Sequence, residues 1–276
     1  MKILTLALFT IRELIAKVTL IILAAISTLV LVIVLLAVST TTTADGVSLS
    51  LFGNPVTPPV AADQLTDIVS QMQAGLAGGL FAGIALFGVL ATATAIPDML
   101  EKGVADVYLS KPLRRWELLL GRCLGATGAI LANTVYFIGG LWLILGVKAG
   151  VWNVAFLLSA FSMTLLFASL YAIVAFFAVW SRNGVVSIIA AFLYLMVAGS
   201  VLYHRQHGLF LISENQIFRT SIDVLYYIFP QLSALQDAIA QQILRRDVDW
   251  VPFAQSAASG GVIYAAAAWM LERKDF

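Results

Sequence analysis

The sequence predicts an all-α polytopic membrane protein, and three observations predict it. Hydrophobic residues make up 61% of the 276-residue chain, charged residues only 11%, and the mean hydropathy is +0.96. In soluble domains about a quarter of the residues are charged. Six runs lack Asp, Glu, Lys and Arg: 18–44, 68–97, 123–147, 149–181, 183–204 and 250–271, the shortest being 22 residues. A helix needs about 20 apolar residues to cross a bilayer. Backbone in lipid must satisfy its own hydrogen bonds, so these runs read as helices. The short alternating segments of a membrane β-barrel are not seen.

The elements follow in order. In residues 1–17, Ile3, Ala7, Ile11 and Leu14 recur on one helical face, with Lys2, Arg12, Glu13 and Lys17 elsewhere. That pattern predicts a short amphipathic elbow helix lying at the membrane interface; a plain charged flank is the alternative. Six spans are expected at about 18–39, 75–96, 119–147, 152–181, 184–204 and 252–271, in a single transmembrane domain over 1–276. The apolar part of the first, Val18 to Val38, is too long for a signal-peptide core of about 7–15 residues.

Residues 40–67 form a first outer loop. Thr40 to Thr43, Gly53-Asn54-Pro55 and Pro58-Pro59 are turn and breaker signals, and the loop is too small for a substrate-binding domain. The second span carries Gly75, Gly79 and Gly83, a register that lets another helix approach closely, within the subunit or in a dimer. In the outer region 205–249, the apolar stretch Val224 to Gln236 is only 13 residues long and contains Pro230. Too short to span, and broken by its proline, it predicts a re-entrant helical hairpin.

Orientation follows from Lys and Arg. One side holds 11: Lys2, Arg12, Lys17, Lys102, Lys111, Arg114, Arg115, Arg122, Arg182, Arg273 and Lys274. The other holds 5: Lys148, Arg205, Arg219, Arg245 and Arg246. The richer side is predicted to be cytoplasmic, with both termini inside, in the cell (inner) membrane. Trp116, Trp180 and Trp269 fall at the inner ends and Trp142, Trp152 and Trp250 near the outer ends, where aromatic belts belong.

Several function classes lose support. No span carries an ionisable residue in its interior, where ion-coupled transporters and aspartyl intramembrane proteases need one. Asn133 with Thr134 is the most polar mid-span feature and reads as an interhelical hydrogen bond. No Gly-Lys dipeptide occurs, so the chain has no P-loop and is not expected to be an enzyme. The single cysteine, Cys123, forms no intramolecular disulfide. His204 and His207, spaced i, i+3, are two weak metal ligands or simply two amphipathic rings at headgroup level. A net charge of +1 gives no argument for nucleic acid, and none is expected as a partner.

The richest information lies in residues 97–117. With Arg122 this island holds nine charges: Asp98, Glu101, Asp106 and Glu117 against Lys102, Lys111, Arg114, Arg115 and Arg122. As a helix, 98–109 puts Leu100, Val104, Val107 and Tyr108 on one face and Asp98, Glu101, Lys102 and Asp106 on the other. Lys111 before Pro112 ends it, and a new helix starts at the proline and runs into the third span. Such a helix parallel to the membrane, hinged to a span, is either a lever for a cytoplasmic partner or a solvated face.

The stretch Glu101-Lys102-Gly103-x-x-Asp106-x-Tyr108-Leu109-Ser110-Lys111-Pro112-x-x-Arg115-Trp116-Glu117-x-x-x-Gly121-Arg122 closely resembles the signature of ABC-2 type transporter permeases. Arg12-Glu13-Leu14 is similar to that family's basic-Glu-Leu in its elbow helix, and the final Arg273-Lys274-Asp275-Phe276 to its basic tail. The subgroup it resembles most is the permeases of nitrous-oxide-reductase maturation, the multi-copper enzyme maturation type; no Met- or Cys-rich lining supports a copper path here. The resemblance implies one transmembrane subunit of an exporter that pairs with a second copy or a paralogue. A separate cytoplasmic ABC ATPase subunit, carrying ATP and Mg, would dock on a coupling helix at 98–110. Asp98, Glu101, Lys102, Gly103, Asp106, Tyr108, Leu109, Ser110 and Pro112 would make that contact. Arg12, Arg115, Trp116 and Arg122 would anchor the hinge at the lipid interface. The outer hairpin fits a gate and a periplasmic partner equally well. The rival readings are a membrane anchor or assembly factor that transports nothing, and a secondary transporter, which the empty spans disfavour.

Overall fold

The computed structural model describes residues 2–16, 18–43, 46–55, 60, 62–100, 114–206, 208–212 and 215–274. Its helices are α1 (Lys2–Ala16), α2 (Val18–Ala37), α3 (Ala62–Thr92), α4 (Arg115–Ala149), α5 (Val154–Ser181), α6 (Gly184–Leu193), α7 (Gly199–Tyr203), α8 (Leu209–Ile212), α9 (Gln216–Ile228), α10 (Leu232–Ile243) and α11 (Val251–Glu272). Two 3-10 turns, Ala93–Ala95 and Pro97–Leu100, follow α3, and a π turn, Tyr194–Ala198, joins α6 to α7. Among the described residues four stretches are long and apolar enough to cross a membrane: α2, α4, α5 and the continuous run 184–203. The chain is thus a predominantly helical membrane protein. The other two predicted windows fall in α3 and α11, helices of 31 and 22 residues; α3 begins at Ala62, well before residue 75.

α5 is the buried axis. Phe156, Phe167 and Tyr171 on it are fully enclosed, with α3, α4, α10 and α11 packed around. Ser169 meets α11 at Gly260, where the missing side chain brings the two backbones together, and its hydroxyl bonds the Ser256 carbonyl at 3.2 Å. Between α2 and α4, Asn133 Nδ2 donates to Ser27 Oγ at 3.1 Å. The neighbouring Thr134 hydroxyl is buried with no partner among the described residues, so there only Asn133 of the expected polar pair bridges helices.

The first loop holds more structure than its turn residues suggest. β1 (Val38–Thr43), β2 (Gly46–Leu51) and β3 (Asn54–Pro55) form an antiparallel sheet, with Val38 opposite Leu51 and Thr43 opposite Gly46. The β-branched threonines suit a half-buried pleat. Lys148 ties this sheet to the bundle by donating to the Leu35 carbonyl and, at 2.6 Å, to that of Val38, while its own carbonyl accepts from Thr40 Oγ1 at 2.7 Å. A cation therefore covers the exposed carbonyls at the end of α2.

At that same end, α9 and α10 are separated by a break at Phe229-Pro230, as the proline predicts. The tip between them is held twice. Tyr194 Oη donates to the Pro230 carbonyl at 2.6 Å, and the Gln231 N–H donates to Ser256 Oγ at 3.1 Å. Tyr194 lies nine residues before Tyr203, so the tip reaches about 14 Å down the helix at 1.5 Å per residue. Tyr194 also opens the π turn, where its carbonyl accepts from the Gly199 N–H. A buried knot fastens the far end of α10: Asn153 Nδ2 donates to Gln73 Oε1 and the Ile243 carbonyl, both at 2.9 Å, and Arg245 Nε donates to Asn153 Oδ1 at 3.2 Å.

Candidate coupling site at the base of the bundle

The opposite end gathers α1, the start of α4 and the ends of α3, α5 and α11. The charged island leaves α3 here and re-enters at α4. Thr92, fully buried, bonds the Gly88 carbonyl through its hydroxyl at 2.7 Å, and its own carbonyl accepts from Tyr171 Oη at 3.0 Å. In the following turn Pro97, Met99 and Leu100 are buried while Asp98 is half-exposed. Glu101, Lys102, Gly103, Asp106, Tyr108, Leu109, Ser110 and Pro112 lie outside the described residues. Of the predicted coupling helix, only its first residues are seen, and these form a 3-10 turn.

The chain resumes at a firmly held point. Glu117 accepts from the Arg114 N–H at 2.9 Å and closes the first turn of α4 with a carboxylate, the favourable sign for a helix N-terminus. Arg115 reaches across to the end of α11. Its guanidinium donates to the carbonyls of Leu271 and Glu272, each at 3.4 Å, and to that of Lys274. Lys274 does the same for α5, donating to the carbonyls of Val179 and Trp180 (2.8 Å to the latter). Desolvation and then the neighbouring Arg182 lower the Lys274 pKa from the ordinary lysine value. Two helix C-termini are thus each covered by a cation from another segment.

α1 is welded to α4 one turn further up. A Cβ built on Gly121 would lie 2.6 Å from Leu6 Cβ, and one on Gly125 would lie 2.5 Å from Thr10 Cβ and 2.8 Å from the Ala7 carbonyl oxygen. Only glycine admits the helix at that distance. Arg122, on the same face, is 3% exposed and forms an ion pair with Glu13. The predicted apolar face of α1 is the one that packs: Ala7 and Leu14 are buried against α4 with Thr10. Leu4, Leu8, Phe9 and Ile15 face outward. α1 thus leans on the bundle with one face and leaves apolar side chains exposed on the other.

The remaining predicted residues separate. Arg12 is exposed and Trp116 half-buried, both at this end. Arg122 is enclosed in the α1–α4 seam rather than reaching a headgroup layer. Among the described residues nothing lies within 4 Å of a Cβ built on Gly75, Gly79 or Gly83, whereas one on Gly88, Gly121, Gly125, Gly140 or Gly146 would meet a neighbour at 2.9 Å or less. His204 Nδ1 bonds the Ser200 carbonyl at 3.1 Å and its ring stacks edge-on against Tyr203; His207 is outside the described residues. Among the described residues no three His, Cys, Asp or Glu gather as a metal site. Glu13 and Lys274 stand in the terminal motifs Arg12-Glu13-Leu14 and Arg273-Lys274-Asp275-Phe276, and their contacts at this end were not expected from sequence. No protein-family model and no curated protein matches the chain.

Proposed function

We propose that this chain is the permease subunit of an ABC-2 type exporter, worked by a separate ATPase that docks on residues 98–110. One observation carries the reading: the charged segment hangs between two rigid supports, the buried turn Pro97–Leu100 and the start of α4. That second support is fastened to α11 through Arg115 and to α1 through Arg122 and Glu13. A push on such a segment moves three helices together rather than being lost in a loose loop.

The base is the cytoplasmic side in this reading. Arg12, Arg114, Arg115, Arg122, Arg182, Arg273 and Lys274 lie there against Glu13, Asp98, Glu117 and Glu272, which supports a positive-inside orientation with both termini inside. α3 and α11 join the four apolar stretches as a second and a sixth span. The α9–α10 hairpin is re-entrant from the outer side, with Pro230 at membrane depth. The uncovered glycine face of α3 meets a second permease copy, because a bare small-residue face in lipid gains dispersion only against another helix.

The test places a photo-crosslinking residue at Asp106 or Ser110 in native membranes. The expected adduct is a P-loop ATPase, formed from these positions and not from Gln216 on the hairpin. Adducts with lipid alone from both positions would overturn the docking assignment.

A further inference from the structure

Two breaks in the helices meet at one point. The first is the π turn before α7, where the Tyr194 carbonyl accepts from the Gly199 N–H and a Cβ built on Gly199 would lie 3.1 Å from that carbonyl oxygen. The second is Phe229-Pro230 after α9, where Phe229 is extended and the proline lacks an N–H. Helices bend at such places, because the regular ladder of backbone bonds is interrupted there. Tyr194 joins the two: its hydroxyl bonds the Pro230 carbonyl at 2.6 Å, and its ring lies 5.6 Å from that of Phe229. α7 starts directly beyond the first break, and α9 ends directly before the second.

α7 and α9 are fastened to each other. Arg205, two residues after α7, bonds Asp223 on α9 through Nε at 2.6 Å, and its guanidinium lies 3.7 Å over the Tyr226 ring. Toward the bundle they bury little. α7 buries only Gly199 and α9 only Ile222, whereas α10 buries Leu232, Leu235, Ala238, Ile239 and Ile243. Beneath them lies a cleft of about 380 Å³, with Tyr203 and Tyr226 on one wall and Asp237 and Gln255 on the other. Packed interiors leave few voids larger than a water, so these two walls are not seated on each other. The bonds across the cleft, from Tyr203 Oη to the Asp237 carboxylate and from Gln255 Nε2 to the Tyr227 carbonyl at 3.4 Å, are exposed ones. Few buried apolar contacts and exposed hydrogen bonds mark a segment that opens locally. We propose that α7 and α9 move as one lid about the joint at Tyr194 and Pro230, opening and closing this cleft while α10 stays with the bundle. The inference does not rest on the ATPase reading, and its test needs no ATPase.

The test is hydrogen exchange, read by mass spectrometry, on the full chain in lipid nanodiscs. In the natural chain α7 and α9 are expected to exchange together and ahead of α10. Tyr203→Phe keeps the ring and removes the bond to Asp237. It is expected to speed exchange in α7 and α9 alike by about tenfold, the scale of one lost hydrogen bond to a charged group, and to leave α6 and α10 as they were. A lock gives the opposite sign. Tyr203→Cys with Asp237→Cys, in a Cys123→Ser background, is bridged by a short bismaleimide, and exchange then slows in α9 as well as in α7. Exchange in α9 that keeps step with α10 in the natural chain overturns the proposal. So does a response to Tyr203→Phe or to the lock that is confined to α7.

Discussion

Arg122 on α4 forms an ion pair with Glu13 on α1 in the seam where Gly121 and Gly125 admit α1. The side chains are 4% and 25% exposed, so the arginine depends on its partner far more than the glutamate does. Removing one member of a buried ion pair costs up to about 3–5 kcal/mol, because the charge that remains loses its nearest opposite charge. Glu13→Ala is therefore expected to lower the unfolding midpoint in a denaturant titration by an amount in that range. The double variant Glu13→Ala with Arg122→Met recovers most of it. A double variant as unstable as the sum of the singles would show that the two side chains do not act as a pair.

The two glycine registers are expected to respond oppositely. Gly125→Ala forces a Cβ to within 2.5 Å of Thr10 and is expected to cost about 1–3 kcal/mol as overpacking. Gly79→Ala meets nothing within 4 Å among the described residues and gains up to about 1 kcal/mol of helix propensity. Stability measured on monomeric protein in detergent separates them.

If α3 meets a second copy, Gly79→Cys in a Cys123→Ser background forms a disulfide-linked dimer in oxidised membranes. A control cysteine at Leu143, on an outward face of α4, remains monomeric. Equal cross-linking from both positions would remove the case for α3 as the dimer face.

A phenol and a backbone N–H hold the hairpin tip, and the phenol can be removed alone. Tyr194→Phe removes the phenol's bond to the Pro230 carbonyl, which keeps the Leu232 N–H at 3.0 Å, at a cost of about 0.5–1.5 kcal/mol. Hydrogen exchange in α9 and α10 is expected to accelerate, while exchange in α4 and α5 stays as it was. Uniform acceleration across the chain would mean that Tyr194 supports the whole bundle and not the tip.

The sequence made the helices readable because lipid leaves a long apolar run only one way to satisfy its backbone. The proline break at Pro230 was equally legible, since it follows from one residue's own chemistry. The sheet at Val38–Leu51 was not: its threonines and serines read as loop chemistry until β1 and β2 pair. Nor could spacing show that Arg115 covers the carbonyls of Leu271 and Lys274, contacts that span more than 150 residues. The glycines show the same limit. Gly79 and Gly121 look alike in sequence, and only the fold decides which one faces a helix.

The central claim is that this chain is moved by an ATPase bound at residues 98–110. The most direct measurement is mass spectrometry of what co-purifies with the tagged protein from native membranes in mild detergent. It is made for the natural chain and for Glu101→Lys. The account predicts a stoichiometric P-loop ATPase with the natural chain and its loss from the variant, with both proteins inserted to the same level. No ATPase with either chain under any mild detergent would contradict the account, and so would an ATPase retained in full by Glu101→Lys.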